Sequence, residues 1–161
     1  MLEIERKWLI DINDIPYDLN LLPSYHIEQS YVSFHPTIRV RKINDGEKYI
    51  LTVKTRCSNE ESISHNEYEA PLSKEEFESL KEQSKGYTIS KRRYLKKTED
   101  GLLQEIDIFE GKLNGLCLME IEFEDEEKAK NYNSPEWIIK DVTFDNRYKN
   151  SKLASEGKIP N

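Results

Sequence analysis

The sequence predicts an α+β protein: an antiparallel sheet that winds back and forth, with a few helices packed against it. Seven short segments rich in Ile, Val, Leu and Tyr alternate apolar with polar residues, which is the period of a strand. Two Asp-Gly pairs, Asp45-Gly46 and Asp100-Gly101, fall between such segments and supply the positive φ that tight hairpins require. Three further stretches carry helix start or stop signals.

"LEIERKWLI" is the first strand, with Ile4 between Glu3 and Glu5. "TIRVRKI" and "EKYILTVKT" form a hairpin around Gly46, and "HNEYEAPL" follows. In "SKEEFESLKEQSKG", Ser73 and Glu76 make a capping box, Phe77 and Leu80 share a face, and Gly86 is a stop signal, so a helix is expected. "ISKRRYLKK" and "LLQEIDIF" pair around Gly101, and "CLMEIEFE" is the seventh strand. "EDEEKAKNY" reads as a second helix and "DNRYKNSKLASEG" as a third, capped by Asp145 and ended by Gly157. No linker, repeat or low-complexity block interrupts the chain, so residues 1–161 are expected to form one domain.

Only 36% of the residues are hydrophobic and 34% are charged, yet an aromatic fraction of 10% argues against disorder. A net charge of −7 disfavours a protein that holds DNA or RNA by its phosphates, although a small cavity can be basic inside an acidic exterior. Cys57 and Cys117 have neither metal-ligand spacing nor the density of a disulfide scaffold, and read as reduced thiols. With no signal peptide and no apolar run of membrane-spanning length, the expectation is a soluble, cytoplasmic protein with no membrane or nucleic-acid partner.

The charges on the strands are sorted by sign. Arg39 and Arg41, and Lys91 and Arg93, stand two apart on basic strands. Glu67 and Glu69, Glu105 and Asp107, and Glu120 and Glu122 do the same on acidic ones. Residues two apart share a face of a strand. On any one strand this could be a solvated face; taken together, the sorting suits a sheet that curls closed around a hydrated, charged lumen. Converging Arg and Lys would bind a compact polyanion, and clustered carboxylates suit a hard divalent cation such as Mg²⁺ or Mn²⁺. That combination is the equipment of phosphoryl or nucleotidyl chemistry, and with no glycine-rich P-loop the phosphates must be held by side chains.

Glu3-Ile4-Glu5-Arg6-Lys7 is an ExExK motif, followed in order by "RVR", "TVK", "EYE", "SKRRY", "EIDIF", "MEIEFE" and "DVTFDNRYKNSKLA". This series resembles the CYTH superfamily of triphosphate tunnel metalloenzymes over nearly the whole chain. The family has relatives that include inorganic triphosphatase, thiamine triphosphatase and class IV adenylyl cyclase. The resemblance implies an eight-stranded antiparallel β-barrel forming a tunnel, with helices packed outside and a triphosphate bound within. It implies Glu3, Glu5, Glu120 and Glu122 as ligands of Mg²⁺ or Mn²⁺, and Lys7, Arg39, Arg41, Lys54, Lys91 and Arg93 as substrate-binding residues. Glu67, Glu69, Glu105 and Asp107 match accessory tunnel acids that orient those bases or assist the metal. The chain has Asp141-Val142-Thr143 where the family often has Glu-Val-Thr, and Val32 where it has Leu. Neither change removes a charge.

The leading functional expectation is metal-dependent hydrolysis of tripolyphosphate or a related triphosphate, with Glu5, Lys7, Tyr31 and Lys54 as the catalytic set. A class IV adenylyl cyclase and a polyphosphate-binding module without turnover are the alternatives. Tyr31 has two readings: a phenol activated by Lys54 beside it, or a strand residue that packs; a tunnel glutamate is the other candidate for activating water. His26, His35 and His65 share no ligand spacing and are expected to have no catalytic duty, while Trp8 and Trp137 are expected to anchor packing. Arg147, Tyr148 and Asn150 belong to the terminal motif, with helix docking as the simplest role of Arg147. A monomer or a homodimer is expected.

Overall fold

A computed structural model describes residues 2–56 and 63–161. Among these residues there are nine strands: β1 (Leu2–Leu9), β2 (Ser24–Ser33), β3 (Thr37–Ile43), β4 (Lys48–Arg56), β5 (Ser64–Leu72), β6 (Lys85–Lys97), β7 (Leu103–Phe109), β8 (Cys117–Glu122) and β9 (Lys140–Asp141). The helices are α1 (Lys74–Glu82), α2 (Glu126–Asn131) and α3 (Asn150–Glu156). Strands run in the order β5-β4-β3-β2-β6-β7-β8-β1, and a further antiparallel pairing of β1 with β5 closes an eight-stranded barrel. β9 lies outside that circuit, paired with the far end of β1.

The barrel is inverted relative to an ordinary small barrel, whose interior is apolar. Along β1, Glu3, Glu5 and Lys7 point inward while Ile4 and Trp8 are buried on the outer wall. There they join Ile106, Met119, Ile121 and Phe123 in a core that is covered by Ala129 of α2, Tyr132, Trp137 and Ile138. Arg6 fastens this cover. Its Nη1 donates to the carbonyls of Ala129 (3.0 Å) and Tyr132 (2.7 Å), its Nη2 to Asp141 (2.6 Å), and its guanidinium lies over the Trp8 ring.

A second apolar cluster lies partly on the inward face, because Ile89, Phe109 and Leu118 share strand faces with Lys91, Asp107 and Glu120. Tyr31, Val142, Tyr148, Leu153 and Ala154 complete it, so α3 acts as a stopper on one side of the interior. β6 and α3 approach so closely that a Cβ on Gly86 would lie 2.5 Å from the Ala154 carbonyl oxygen, and the glycine adopts φ +70°.

Local structure departs from the sequence reading in four places. β2 joins the seven expected strands; its register shifts past Gln29 and Tyr31, and Gln29 and Ser30 break the apolar alternation. α1 keeps its capping box but ends at Glu82 with Gln83 as cap, leaving Gly86 inside β6. The third helix splits: Asp145 caps a 3₁₀ turn at Asn146–Tyr148, and α3 begins afresh at Asn150, ending at the left-handed Gly157. β9 is short and gave no periodic signal. Cys117 is a buried free thiol, whereas Cys57 lies outside the described residues. Among the described residues no helix is long and apolar enough to cross a membrane.

Candidate active site

The bore is a cavity of 1480 Å³ lined by Glu3, Glu5 and Lys7 of β1, Tyr31 of β2, Arg39 and Arg41 of β3 and Lys54 of β4. Glu67 and Glu69 of β5, Lys91 and Arg93 of β6, Glu105 of β7 and Glu120 and Glu122 of β8 complete the ring. Every charged strand position singled out from the sequence therefore meets in one space, except Asp107. That residue is 1% exposed and sits in the wall behind Lys91 and Arg93.

Antiparallel register aligns Lys7, Glu120 and Glu105 across β1, β8 and β7, and Arg93 with Asp107 across β6 and β7. Lys91 Nζ donates to Asp107 Oδ2 (2.7 Å) and to Asn150 Oδ1 (3.2 Å). Arg93 donates to Asp107 through Nε (2.7 Å) and Nη2 (2.9 Å), and to Glu105 through Nη1 (2.8 Å). Lys7 Nζ lies 3.4 Å from Glu120 and donates to the Tyr148 carbonyl (3.3 Å). Burial alone would raise Glu120 and Asp107, but the surrounding cations outweigh it: Lys7 and Arg93 hold Glu120 well below the usual carboxylate range, and Arg93 and Lys91 hold Asp107 down. Burial dominates at Lys91 and, against the pull of Asp107, brings its ammonium down to about 8.

The β1–β4–β5 side is balanced differently. Lys54 Nζ stands 2.7 Å from Glu3, 3.8 Å from Glu5 and 3.7 Å from Glu67, and Glu5 and Glu3 raise it despite burial. Lys54, Arg39 and Arg41 face Glu3, Glu5, Glu67, Glu69 and Glu122 here, so acids outnumber bases. Burial, then Glu120, push Glu5 up to about 8, and burial, then Glu3, push Glu122 up to about 7. Among the described residues, no group of three or more His, Cys, Asp or Glu side chains is already arranged to hold a metal ion. The donor chemistry nonetheless suits one: carboxylates that desolvation first, and neighbouring acids second, hold toward the protonated form are groups that a hard divalent cation neutralises.

Arg39 and Arg41 face this side. Burial, with Arg39 and Arg93 nearby, lowers Arg41 to about 10, so it remains a cation at neutral pH; its Nη2 donates to Glu69 (3.2 Å). The Tyr31 hydroxyl accepts from Gln29 (3.0 Å), and the cation beside it is Arg39, its partner across the β2–β3 ladder. Tyr31 is itself 1% exposed and stacked on Phe34, so packing and contact with the bore coexist in one residue.

Among the lining residues that escaped the sequence reading are His65, Lys149 and Asn150. His65 continues the inward period of Glu67 and Glu69, and burial, reinforced by Lys54 and Lys149, lowers it to about 4, keeping the imidazole neutral. Lys149 and Asn150 reach the bore from the start of α3. Arg147, one turn earlier, pairs with Asp145 and donates to the Asn161 carbonyl instead. Trp8 is fully buried, and Trp137 packs edge-on against Tyr17.

The CYTH domain model matches residues 1–155. An inorganic triphosphatase of Nitrosomonas europaea is 36% identical over 156 residues, spanning 96% of this chain and 97% of that protein. Another, of Acetivibrio thermocellus, is 35% identical over 153 residues, spanning 94% and 92%. A crystal structure of an inorganic triphosphatase superposes with a TM-score of 0.67 at 34% identity, covering 99% of this chain and 97% of the other. A Hippeastrum protein described as an adenylyl cyclase with dominant triphosphatase activity shares the fold at 18% identity and a TM-score of 0.58, over 80% and 82% of the two chains.

Proposed function

The chain belongs to the CYTH domain family, and from that premise we propose that it hydrolyses inorganic tripolyphosphate to pyrophosphate and orthophosphate with the help of Mg²⁺ or Mn²⁺. The observation that carries the reading is the convergence of Lys7, Arg39, Arg41, Lys54, Lys91 and Arg93 with a ring of carboxylates on one bore, in a chain similar over its length to inorganic triphosphatases. A ligand with dense negative charge fits the cations, and a divalent cation fits the carboxylates.

Arg39, Arg41, Lys54, Lys7, Lys91 and Arg93 would hold the phosphate oxygens. Arginine offers a planar fork to two oxygens at once, and lysine a point charge. Glu105 and Asp107 fix Arg93 from behind, so the guanidinium needs little reorganisation when charge shifts toward the leaving pyrophosphate. Glu3, Glu5, Glu122 and Glu120 would hold the divalent cation, which when bound supplies Lewis-acid neutralisation of phosphoryl oxygens. Binding it would displace the protons that Glu5 and Glu122 retain near neutral pH.

The attacking water must lose a proton. Tyr31, the tunnel glutamates, His65 and Lys91 are acceptors among the residues that line the bore, and Lys91 is favoured, because burial leaves part of it as free amine at mildly alkaline pH. Its Nζ would take that proton as the new P–O bond forms and pyrophosphate leaves with the electron pair of the bridging bond. Tyr31 would hold Arg39 in place through its hydroxyl. Full turnover by Tyr31→Phe would remove the phenol as a base.

The test is orthophosphate release from tripolyphosphate, ATP and thiamine triphosphate with Mg²⁺ or Mn²⁺, wild type beside Glu5→Gln. Release from tripolyphosphate, lost in Glu5→Gln, supports the proposal. Cyclic AMP formed from ATP would replace it with a cyclase, and calorimetric binding of tripolyphosphate without turnover would replace it with a binding module.

A further inference from the structure

Two lysines line the bore beside the apolar stopper, and each is tied twice. Lys91 Nζ donates to Asp107 Oδ2 (2.7 Å) and to Asn150 Oδ1 (3.2 Å). Lys7 Nζ lies 3.4 Å from Glu120 and donates to the Tyr148 carbonyl at 3.3 Å. One anchor of each lysine is a carboxylate of the barrel wall. The other is a neutral oxygen of the C-terminal segment, from residues two apart in the sequence.

The neutral anchors serve a different purpose from the charged ones. Asp107 offsets charge, and it already does so for Arg93 as well. A second carboxylate on Lys91 would cancel more of the charge that draws a polyanion, whereas an amide oxygen accepts a hydrogen bond and leaves that charge in place. An ammonium has three N–H donors, and fixing two of them fixes the direction of the third. Among the described residues, Asp107 and Asn150 take two of those on Lys91, and its next contact is the face of the Phe109 ring, 5.3 Å from Nζ to the centroid.

The helix that Asn150 begins does not explain the residue. Asn is favoured at an N-cap, but Lys149 holds the cap position of α3, and no side-chain bond caps the helix there. Past the cap, Asn is a poor helix former. Its amide oxygen is instead committed to a residue 59 positions away in the chain. The strand that carries Lys91 also sets the depth of α3, because Gly86 of β6 meets the Ala154 carbonyl one turn beyond Asn150.

We infer that Asn150 is a positioning residue, whose amide oxygen turns the Lys91 ammonium so that its remaining N–H meets a phosphate oxygen of the bound triphosphate. The inference rests on the reading above that the bore takes a triphosphate. It makes the C-terminal segment part of the binding site: Asn150 aims Lys91, as the Tyr148 carbonyl aims Lys7.

The test is a double-mutant cycle on the affinity for non-hydrolysable imidotriphosphate, measured by calorimetry in Mg²⁺. Asn150→Leu removes the oxygen and should weaken binding about tenfold, the scale of one misdirected charge-assisted hydrogen bond. In a Lys91→Met background the same change should alter affinity by less than about twofold, because no ammonium is left to aim. Asn150→Ala and Lys91→Leu run the same cycle in parallel, so that it stands if one of the first pair does not fold. Wild-type affinity in Asn150→Leu overturns the inference. So do losses that multiply in the double variant, the outcome of a residue that only docks the helix. A wild type that binds the analogue and hydrolyses no triphosphate overturns the hydrolytic reading alone, an active wild type with multiplying losses overturns the positioning role alone, and a wild type that binds no analogue overturns both.

Discussion

Asp107 grips Arg93 with both carboxylate oxygens, Oδ1 to Nε at 2.7 Å and Oδ2 to Nη2 at 2.9 Å, and shares Oδ2 with Lys91 Nζ. All three residues are buried, so the carboxylate is the counter-charge that lets two cations sit inside the barrel. Asp107→Asn leaves those cations short of one charge, and removing one partner of a buried ion pair costs about 3–5 kcal/mol. Thermal unfolding should show a Tm lower by roughly 6 °C or more, with KM for tripolyphosphate raised because Arg93 is no longer aimed.

Arg6 sits between the bore residues Glu5 and Lys7 but points outward to Ala129, Tyr132 and Asp141. Arg6→Ala should therefore separate stability from binding. Loss of its charge-assisted hydrogen bonds is expected to cost about 2–4 kcal/mol, read by denaturant unfolding, while KM stays within about twofold of wild type.

Glu5 and Glu122 carry folded-state values of about 8 and about 7, above the ordinary carboxylate. The folded protein then binds more protons than the unfolded chain between about pH 4.5 and 8, so their contribution to stability is full below pH 4.5 and is lost as pH rises through the folded values. In chelator, Tm should fall from pH 5 to pH 8. Glu5→Gln should flatten that slope, and Mg²⁺ or Mn²⁺ should raise the Tm of wild type at pH 8 more than that of the variant.

Lys91 shifts the other way. Its folded value of about 8 lies below the free ammonium, so the unfolded chain binds more protons between about pH 8 and 10.5, and this group favours the folded state increasingly as pH rises through that window. As the proposed proton acceptor it should also set an ascending limb near pH 8 in kcat. Lys91→Met should abolish that limb together with most of the turnover, a loss of about 100-fold or more.

Arg41→Lys keeps the charge and removes the fork. Since a charge-assisted hydrogen bond is worth about 1.5–3 kcal/mol, KM for tripolyphosphate should rise about tenfold or more, with little change in Tm.

The closed barrel was legible because the charges at Glu3 and Glu5, Arg39 and Arg41, and Glu120 and Glu122 are sorted by strand and spaced by two, a pattern that fixes which face each side chain takes. Depth along a strand is not encoded in that period. Glu105 and Asp107 share a face, yet only Glu105 reaches the bore, because the strands tilt and the stopper fills the space beyond Asp107. His65 carried the right period but was read as a strand end, and Lys149 and Asn150 arrive through a helix start whose docking depends on Gly86. The neighbour of Tyr31 is Arg39, its partner across the β2–β3 ladder, rather than Lys54, and alternation alone does not say which strands pair or in what register.

Among the described residues the tube is sealed lengthwise by three residue pairs, Leu2 with Asn66, Glu3 with His65 and Ile4 with Ser64, whereas β3 and β4 are joined by seven. A zip with so few teeth parts first. Backbone amides on either lip of this joint should exchange with deuterium sooner than those of any other strand pair in the ring, and a ligand that pulls Glu3 and Lys54 together from within should slow them most.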